Sequence, residues 1–519
     1  MSKENKMLKT AGFMAMATLL AKVCGMVRDM LIAAFFGSGM EGAAYMTATK
    51  LPTMLFDIVI GGVITAAFIP VFNSIIQKES RDEAIKFAGK FITGVLIITS
   101  LIAVLGIAFS DKLINFLAPE FNIETHNLAA QLSSIMFPMI IFTGLAFSFV
   151  GILQSFGEFN IPSIISLVSN LAIILYFVLF GKRFGVYGLA VTMVIAWSLQ
   201  VFIQIPSLVK FKFKYKPSVK FRDPHIKATL LLAGPMLIST WVQPLYSIVN
   251  SRIASGMQGG GAIALLEYAN RLYVIVVGVF SFVVTNLIFP KLSRANTSNH
   301  TDEAKNLIVN SLKAICIVIL PIMAGFIILA KPITSIIYER GAFTAESVKY
   351  TSVALACYST GMIGLAVNEI LSKAFFSMQN SRTPMINAVL SMVCNIILAY
   401  TLSSAFGLGG LALATAGGST INALLNYICM RKTQGRIFEK ADLVSIGKTA
   451  LSAAVMAAVV GAIYFVFGTK GSGLVYNIVL AGSCAVVGAV IYFALCYILK
   501  VDGLTDIING ILKRKGSEK

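Results

Sequence analysis

Charge is scarce in this chain. Only 13% of its 519 residues are Asp, Glu, Lys or Arg, against about 25% in an average soluble domain, which leaves too little polar side chain to wet a water-soluble fold. A soluble enzyme is excluded on that ground. Histidine is equally sparse: His126, His225 and His300 lie in or beside loops and far apart, and no HExxH pair exists to hold zinc. The seven cysteines (Cys24, Cys316, Cys357, Cys394, Cys429, Cys484 and Cys496) are odd in number, show no CxxC spacing and lie in apolar segments. They read as buried thiols rather than disulfides or metal ligands. No Walker A sequence is present, and Gly259-Gly260-Gly261 and Gly417-Gly418 lack the preceding strand and following Lys-Ser/Thr of a phosphate loop. The expectation is therefore no catalytic residue, no metal and no cofactor; the chain is not an enzyme and works by moving something.

What the sequence has instead is apolar length, with 57% hydrophobic residues. Runs of about 20 apolar residues recur almost to the end, each long enough to cross ~30 Å of hydrocarbon. Fourteen spans are expected, at approximately 8 to 36, 44 to 75, 88 to 110, 127 to 156, 160 to 180, 186 to 206, 227 to 256, 262 to 292, 303 to 330, 346 to 377, 384 to 404, 409 to 430, 446 to 468 and 474 to 500. Lys3, Lys6 and Lys9 before an apolar run imitate a signal peptide, but the run continues through Lys22 and Arg28 to about Phe36 and reads as a retained first helix. The net charge of +19 reflects topology rather than nucleic-acid binding. Lys78, Arg81 and Lys86, then Lys210, Lys212, Lys214, Lys216, Lys220 and Arg222, then Arg431, Lys432, Arg436 and Lys440 fall on one face with both tails, including Lys513, Arg514 and Lys515. The opposite loops at 37 to 43 and 405 to 408 carry no Lys or Arg, and only Lys182 and Arg183 break the pattern. Both termini are expected in the cytoplasm.

An internal repeat is expected from Ala48-Thr49-Lys50-Leu51 with Pro70, matched by Ala269-Asn270-Arg271-Leu272 with Pro290 at nearly equal spacing. Six spans per repeat make the halves parallel, with a substrate site between them. The fold class is thus an all-α polytopic membrane protein: two six-helix lobes related by a parallel pseudo-two-fold repeat plus two C-terminal helices. Residues 1–220 form the N-terminal lobe with a basic cytoplasmic linker, 221–436 the C-terminal lobe, and 437–519 the last two spans and a tail. Gly410, Ala414 and Gly418 form a small-xxx-small row for close helix approach.

Charges inside spans mark function, because each costs at least ~2.5 to 3.5 kcal/mol at a helix centre. Arg28, Lys50 and Arg271 lie about 13, 10 and 13 Å from the outer helix ends, and Lys22 and Asp57 at roughly 20 Å, deep enough to pair. Asp29 is placed to satisfy Arg28 or Lys50, and Glu267 precedes Arg271 by the favourable four residues. With Arg252, five cations face the three anions Asp29, Asp57 and Glu267. A hydrated cavity lined this way attracts an anion, and arginine suits phosphate through its planar fork. Pro52 and Gly61-Gly62 bend or loosen span 2, or serve close packing. Glu369 and Lys373, one turn apart, read as a gate-side salt bridge, and the nearly uncharged spans 13 and 14 as lipid-facing helices able to guide an acyl or prenyl chain.

These residues carry a family resemblance. Leu20-Ala21-Lys22-Val23-Cys24-Gly25-Met26-Val27-Arg28-Asp29, Phe36-Gly37-Ser38-Gly39, Lys50-Leu51-Pro52 and Ala67-Phe68-Ile69-Pro70 resemble the opening of the MurJ (MviN) family of lipid II flippases, within the multidrug/oligosaccharidyl-lipid/polysaccharide exporter superfamily. The likeness continues through Tyr268-Ala269-Asn270-Arg271-Leu272, Arg340-Gly341-Ala342-Phe343-Thr344, Tyr358-Ser359-Thr360-Gly361, Phe376-Ser377-Met378-Gln379 and Thr383-Pro384. It implies a bacterial cytoplasmic-membrane transporter that moves the undecaprenyl-pyrophosphate-linked peptidoglycan precursor from inner to outer leaflet. Membrane lipids and the cell-wall synthesis machinery are its implied partners, and nucleic acid is not. Arg28 and Arg271 carry over as cavity arginines, Lys22 stands where the family often has arginine, and Asp29 completes the family's Arg-Asp pair. Substrate contact is thus expected of Arg28, Arg271, Lys22, Lys50 and Asp29, and gating or charge pairing of Asp57, Glu267, Glu369 and Lys373. A further span 2 arginine of many members aligns with Phe56. Some members bind sodium among acidic residues of the C-terminal lobe, but spans 7, 11 and 12 here contain no Asp or Glu, so no such site is expected. Rival readings are a transporter of another lipid-linked oligosaccharide, a drug/cation antiporter, which would need acidic cavity residues, and a non-transporting membrane scaffold.

Overall fold

The computed structural model of the chain describes residues 3–218, 223–297, 301–468, 470–471 and 473–502. Expectations for Lys220, Arg222, His300, Lys513, Arg514 and Lys515 fall outside them. Among the described residues the regular structure is entirely helical. Among these residues eight helices are long and apolar enough to cross a membrane, or ten if two bent pairs each count as one span. The chain divides into two compact units, Met1–Ala264 with Arg340–Phe343, and Leu265–Glu339 with Thr344–Lys519.

The first unit begins with α1 (Lys3–Phe36) and α2 (Met40–Phe56). Two π-helical turns, Asp57–Gly61 and Ile64–Phe68, join α2 to α3 (Ile69–Lys78). Span 2 is thus loosened at its glycine pair, while Pro52 sits inside α2. Then come α4 (Arg81–Ala108), α5 (Ser110–Leu117), and α6 (Ile123–Met136) with α7 (Met139–Ser155), bent by 41° where one continuous helix was expected. Next are α8 (Asn160–Leu179), α9 (Gly181–Phe202), α10 (Ile205–Lys210), and α11 (Pro224–Thr240) followed by α12 (Val242–Ser255), which meet at Trp241.

Capping sets several of these boundaries. The Ser80 hydroxyl accepts from the Glu83 amide at the start of α4, with Asp82 and Glu83 in the first turn, and Asn122 accepts from Thr125 at the start of α6. In the apolar interior the hydroxyls of Thr47, Thr93, Thr99, Thr143 and Ser148 donate to carbonyls four residues back, so none is left without a partner where water is absent. Phe68 stacks on Phe91 with centroids 4.3 Å apart and touches Phe72 and Phe87, locking the end of the second π-helical turn into the core.

The segment Arg340–Phe343 folds with the first unit. The Ala342 amide donates to the Ala34 carbonyl at 2.8 Å, Phe343 is fully buried, and two glycines make the approach possible. Gly37 (φ 61°) and Gly341 (φ 58°) both adopt the left-handed region, and a Cβ on either would meet a carbonyl oxygen, of Ala342 at 2.4 Å or of Ala34 at 2.1 Å.

The basic segment after α10 is pinned across α4. Phe213 is buried, the Tyr215 and Thr93 hydroxyls lie 3.0 Å apart, and the Lys216 carbonyl rests where a Cβ on Gly89 would stand. Arg81 donates to the Phe211 carbonyl and stacks on Phe156. Lys212, Lys214 and Lys216 alternate with the anchored residues and are exposed. At the start of α11, Asp223 pairs with Lys90 at 2.5 Å and His225 with Glu79 at 3.3 Å. Burial alone would raise the Asp223 carboxyl, but the Lys90 ammonium and the backbone amides of His225 and Ile226 outweigh it and hold the group below its ordinary range.

The second unit contains most of α13 (Ala262–Thr297), then α14 (Thr301–Ile328), α15 (Ala330–Tyr338), and α16 (Ala345–Ser359) with α17 (Met362–Ser377), bent by 45°. It ends with α18 (Arg382–Gln434), α19 (Lys440–Phe467) and α20 (Leu474–Ile498). α18 turns back on itself at Gly407 (φ 54°, ψ −132°), where the expected loop 405 to 408 lies. Behind the turn the small-residue row works as anticipated: the Asn395 side chain donates to the Ala414 carbonyl at 2.7 Å and covers Gly418. α19 and α20 pack on α14 and α15 through Met456, Val460, Leu480 and Cys484, and the Tyr492 hydroxyl donates to the Ile317 carbonyl. All seven cysteines are unpaired.

Replacing Gly341 by Val is expected to break the seating of Arg340–Phe343 on α1, costing at least ~1–2 kcal/mol from the left-handed backbone alone. The check is a lowered thermal midpoint in detergent, against an unchanged midpoint for Val at exposed Gly12. For Asp223→Asn, the depressed carboxyl contributes stability above its unfolded pKa of about 3.9 and loses it as pH falls through the lower native value. The variant should therefore melt below the wild type at pH 7, by about 1–2 kcal/mol, with the gap closing as the pH is taken below about 3.9.

Candidate functional site

α1 carries Lys22, Arg28 and Asp29 in one uninterrupted helix. Arg28 lies eight residues, about 12 Å, before the helix end. Its Nε and Nη2 donate to one oxygen of Asp29 at 3.0 and 2.9 Å, and its Nη1 donates to the Asn170 side-chain oxygen at 2.9 Å. Asn170, buried on α8, is fixed in turn because its amide donates to the Ala21 carbonyl at 3.0 Å. α1 approaches α8 this closely because Gly25 lies beside Asn170, while Phe35 and Phe36 pack on Phe177 further along. Three donor positions of the guanidinium are thereby used, two N–H groups are left, and the side chain keeps 18% exposure against 4% for Asp29. Asp29 thus satisfies Arg28, one of the two partners expected of it.

Lys50 is oriented differently. Its ammonium donates to the Ser251 hydroxyl of α12 at 3.0 Å. α2 buries Leu51, Pro52 and Met54, while Lys50, Thr53 and Asp57, at helical spacing, form the more accessible face. Asp57 is exposed and opens the first π-helical turn, and the next carbonyl, of Ile58, accepts the Trp241 indole N–H at 2.8 Å. A π turn leaves a carbonyl out of the regular ladder, and span 7 supplies its donor. Lys22 is half-buried and, among the described residues, makes no ion pair or hydrogen bond, so the pairing with Asp57 expected from depth is not formed. Similar depth along two helices does not bring their faces together. Phe56 is buried and stacks on Phe147, so apolar packing fills the position of the family's further arginine. Arg252 donates to the Phe116 carbonyl and lies over its ring, holding α12 against α5.

In the second unit, Tyr268, Ala269 and Leu272 of α13 are buried, and the Tyr338 hydroxyl donates to the Tyr268 carbonyl. Glu267, Asn270 and Arg271 share the opposite, half-buried side, as their spacing of three and four residues requires. On α17, Glu369 is half-buried and Lys373 exposed. Between α17 and the two arms of α18 runs a chain of amides: Asn426 donates to Asn368 at 2.7 Å and accepts from Asn387 at 2.9 Å. Asn170, Ser251 and this chain were not singled out from sequence; the signal available was an amide or hydroxyl inside a span. No group of three His, Cys, Asp or Glu side chains suited to a metal occurs among the described residues.

A helical membrane protein with ionisable side chains held inside its spans has the architecture of a transporter. Solved structures agree on that class. The fold matches the inward-facing conformation of a multidrug resistance MATE family transporter of the MOP superfamily, with a TM-score of 0.69 over 82% of this chain and 98% of that one, at 14% identity. It matches lipid II flippase MurJ in an inward closed conformation with a TM-score of 0.79, over 95% and 99% of the two chains, at 25% identity. The sequence model of the family described as lipid II flippase MurJ matches residues 32–482. The chain belongs to that family. Relatives include the probable lipid II flippase MurJ of Rickettsia prowazekii (strain Madrid E), 28% identical over 94% of this chain and 97% of its own. The lipid II flippase MurJ of Burkholderia cenocepacia is 27% identical over 82% and 83%.

Asn170→Leu is expected to leave the Arg28 Nη1 without its acceptor and to remove the tie from α8 to the Ala21 carbonyl, which keeps its own helical partner, costing about 1.5–3 kcal/mol. Thermal unfolding in detergent measures it, and Asp29→Leu in the same background should cost less than it does in the wild type, because the two side chains hold one guanidinium.

Proposed function

We propose that this chain flips lipid II, the undecaprenyl-pyrophosphate-linked peptidoglycan precursor, from the inner to the outer leaflet of the bacterial cytoplasmic membrane. The observation that carries the reading is a set of cations inside the spans, Lys22, Arg28, Lys50 and Arg271, in a chain that a relative named for lipid II matches over 94% of its length. Relatives named for lipid II favour this cargo over another lipid-linked oligosaccharide. Lys22, Arg28, Lys50 and Arg271 bind the diphosphate, and Asp29 orients Arg28. Arg28 suits the task because Asp29 and Asn170 fix its plane while two donors stay open, so little side-chain entropy is lost when phosphate oxygens arrive. Asp57, Glu267, Glu369 and Lys373 serve gating or charge pairing.

The reading includes fourteen spans with both termini cytoplasmic, the division at 1–220, 221–436 and 437–519, and alternating access by two repeat lobes. Parallels between segments support the repeat. A 28-residue α4, a short α5 and a pair bent by 41° answer a 28-residue α14, a short α15 and a pair bent by 45°. Gly185 and Gly407 then reverse the chain with φ of 53° and 54°. In such a cycle the headgroup moves through a polar interior while the prenyl tail stays in lipid along α19 and α20. The membrane potential contributes ~2.3 kcal/mol per charge per 100 mV to a cycle that moves charge.

Depleting the protein should cause lipid II to accumulate in the inner leaflet. Wild type should reverse this, and Arg28→Ala or Arg271→Ala should flip at least ~10-fold more slowly, as loss of a charge-assisted hydrogen bond predicts. Full rescue by both variants at normal membrane levels defeats the assignment of those two residues.

A further inference from the structure

Span 7 shows a polar face that the anion-binding reading leaves without a task. Along α12, Gln243, Ser247 and Asn250 recur at spacings of four and three residues and so share one stripe, with Ser251 at its edge, while Leu245, Ile248 and Val249 lie on other sides. The stripe carries no charge. Gln243 is exposed, and Ser247 and Asn250 are half-buried. Two observations tie it to the cationic residues of the same unit. Ser251, next to Asn250, accepts from Lys50 at 3.0 Å, so the stripe begins beside an ammonium assigned to the diphosphate. The Asn250 side-chain oxygen is turned away from water and has no hydrogen-bond partner among the described residues. A buried acceptor without a donor is a standing cost, removed when a hydroxyl or amide N–H reaches it.

Resting on the proposed lipid II cargo, we infer that Asn250, with Ser247 and Gln243, reads the sugar portion of the headgroup. Neutral amides and hydroxyls match sugar hydroxyls and N-acetyl groups, which offer donors and acceptors but no charge. A glycan linked to the diphosphate continues outward from the phosphates, so a polar stripe starting beside Lys50 is placed to meet it. Cations hold the diphosphate whatever is attached to it; the stripe on α12 discriminates by what is attached. Asn250 accepts a hydroxyl or amide proton, and Gln243, about two helical turns away on the same stripe, supplies a more open contact.

The test compares two probes on the full-length protein in detergent micelles, lipid II and undecaprenyl diphosphate without sugar, by native mass spectrometry. Asn250→Leu is expected to weaken lipid II binding about 10-fold, corresponding to the loss of one net hydrogen bond, while undecaprenyl diphosphate changes less than about twofold. Gln243→Leu, at an exposed position that packing tolerates, should show the same selectivity at about threefold. Arg28→Ala should weaken both probes. Equal weakening of both probes by Asn250→Leu, or unchanged lipid II binding in both α12 variants, overturns the inference and leaves the anion-binding reading standing. A wild type that binds neither probe overturns both.

Discussion

A guanidinium inside a membrane span is stable only when its hydrogen-bond donors are met and its charge is balanced, because lipid offers neither service. Arg28 meets both conditions locally. Its neighbour Asp29 supplies the charge, Asn170 on α8 supplies the third contact, and the Ala21 carbonyl holds Asn170 in place. The cluster needs α1 to lie close along α8, hence Gly25 at the crossing and the aromatic packing of Phe35, Phe36 and Phe177 beyond it. Fold and function meet here in one requirement: the contacts that make an arginine tolerable in this unit also fix which way its remaining donors point.

The same rule governs the backbone. Several helix irregularities among the described residues occur where a donor or a glycine accommodates them. The π-helical turns after α2 include the Ile58 carbonyl, and the Trp241 indole meets it. Reversals at Gly185 and Gly407 use backbone conformations open mainly to glycine. The hydroxyls of Thr93, Thr99 and Thr143 donate to their own helix, so these threonines need no external partner.

Legibility from sequence followed the range of the interactions involved. That the chain is built of apolar membrane-length helices was readable because hydrophobic length is a local property, and the small-residue row at Gly410, Ala414 and Gly418 was readable because close helix approach needs it whatever the partner. Bends were missed: α6–α7 and α16–α17 each continue one apolar run, and the only local signals were Pro138 and Gly361 at the two breaks. Among the charges, Arg28 was conspicuous and its partner Asp29 lay beside it, but Asn170, 142 positions away, gave no sign beyond being an amide in an apolar helix. Lys22 and Asp57 looked like partners because depth can be counted along a helix, whereas the azimuth of one helix relative to another cannot.

Composition and pattern were enough to establish a helical membrane protein, and the order of motifs along the chain was enough to place it among the lipid II flippases. Both depend on quantities each segment carries alone: its length, its hydropathy and its string of residues. Which groups meet was settled by packing. Lys50 reaching Ser251, Trp241 reaching Ile58, the amide chain of Asn368, Asn387 and Asn426, and the seating of Arg340–Phe343 on α1 all join segments distant in sequence. Such contacts depend on how helices rotate and approach one another, and that is decided by the sum of many side-chain fits along each crossing, which no single segment encodes.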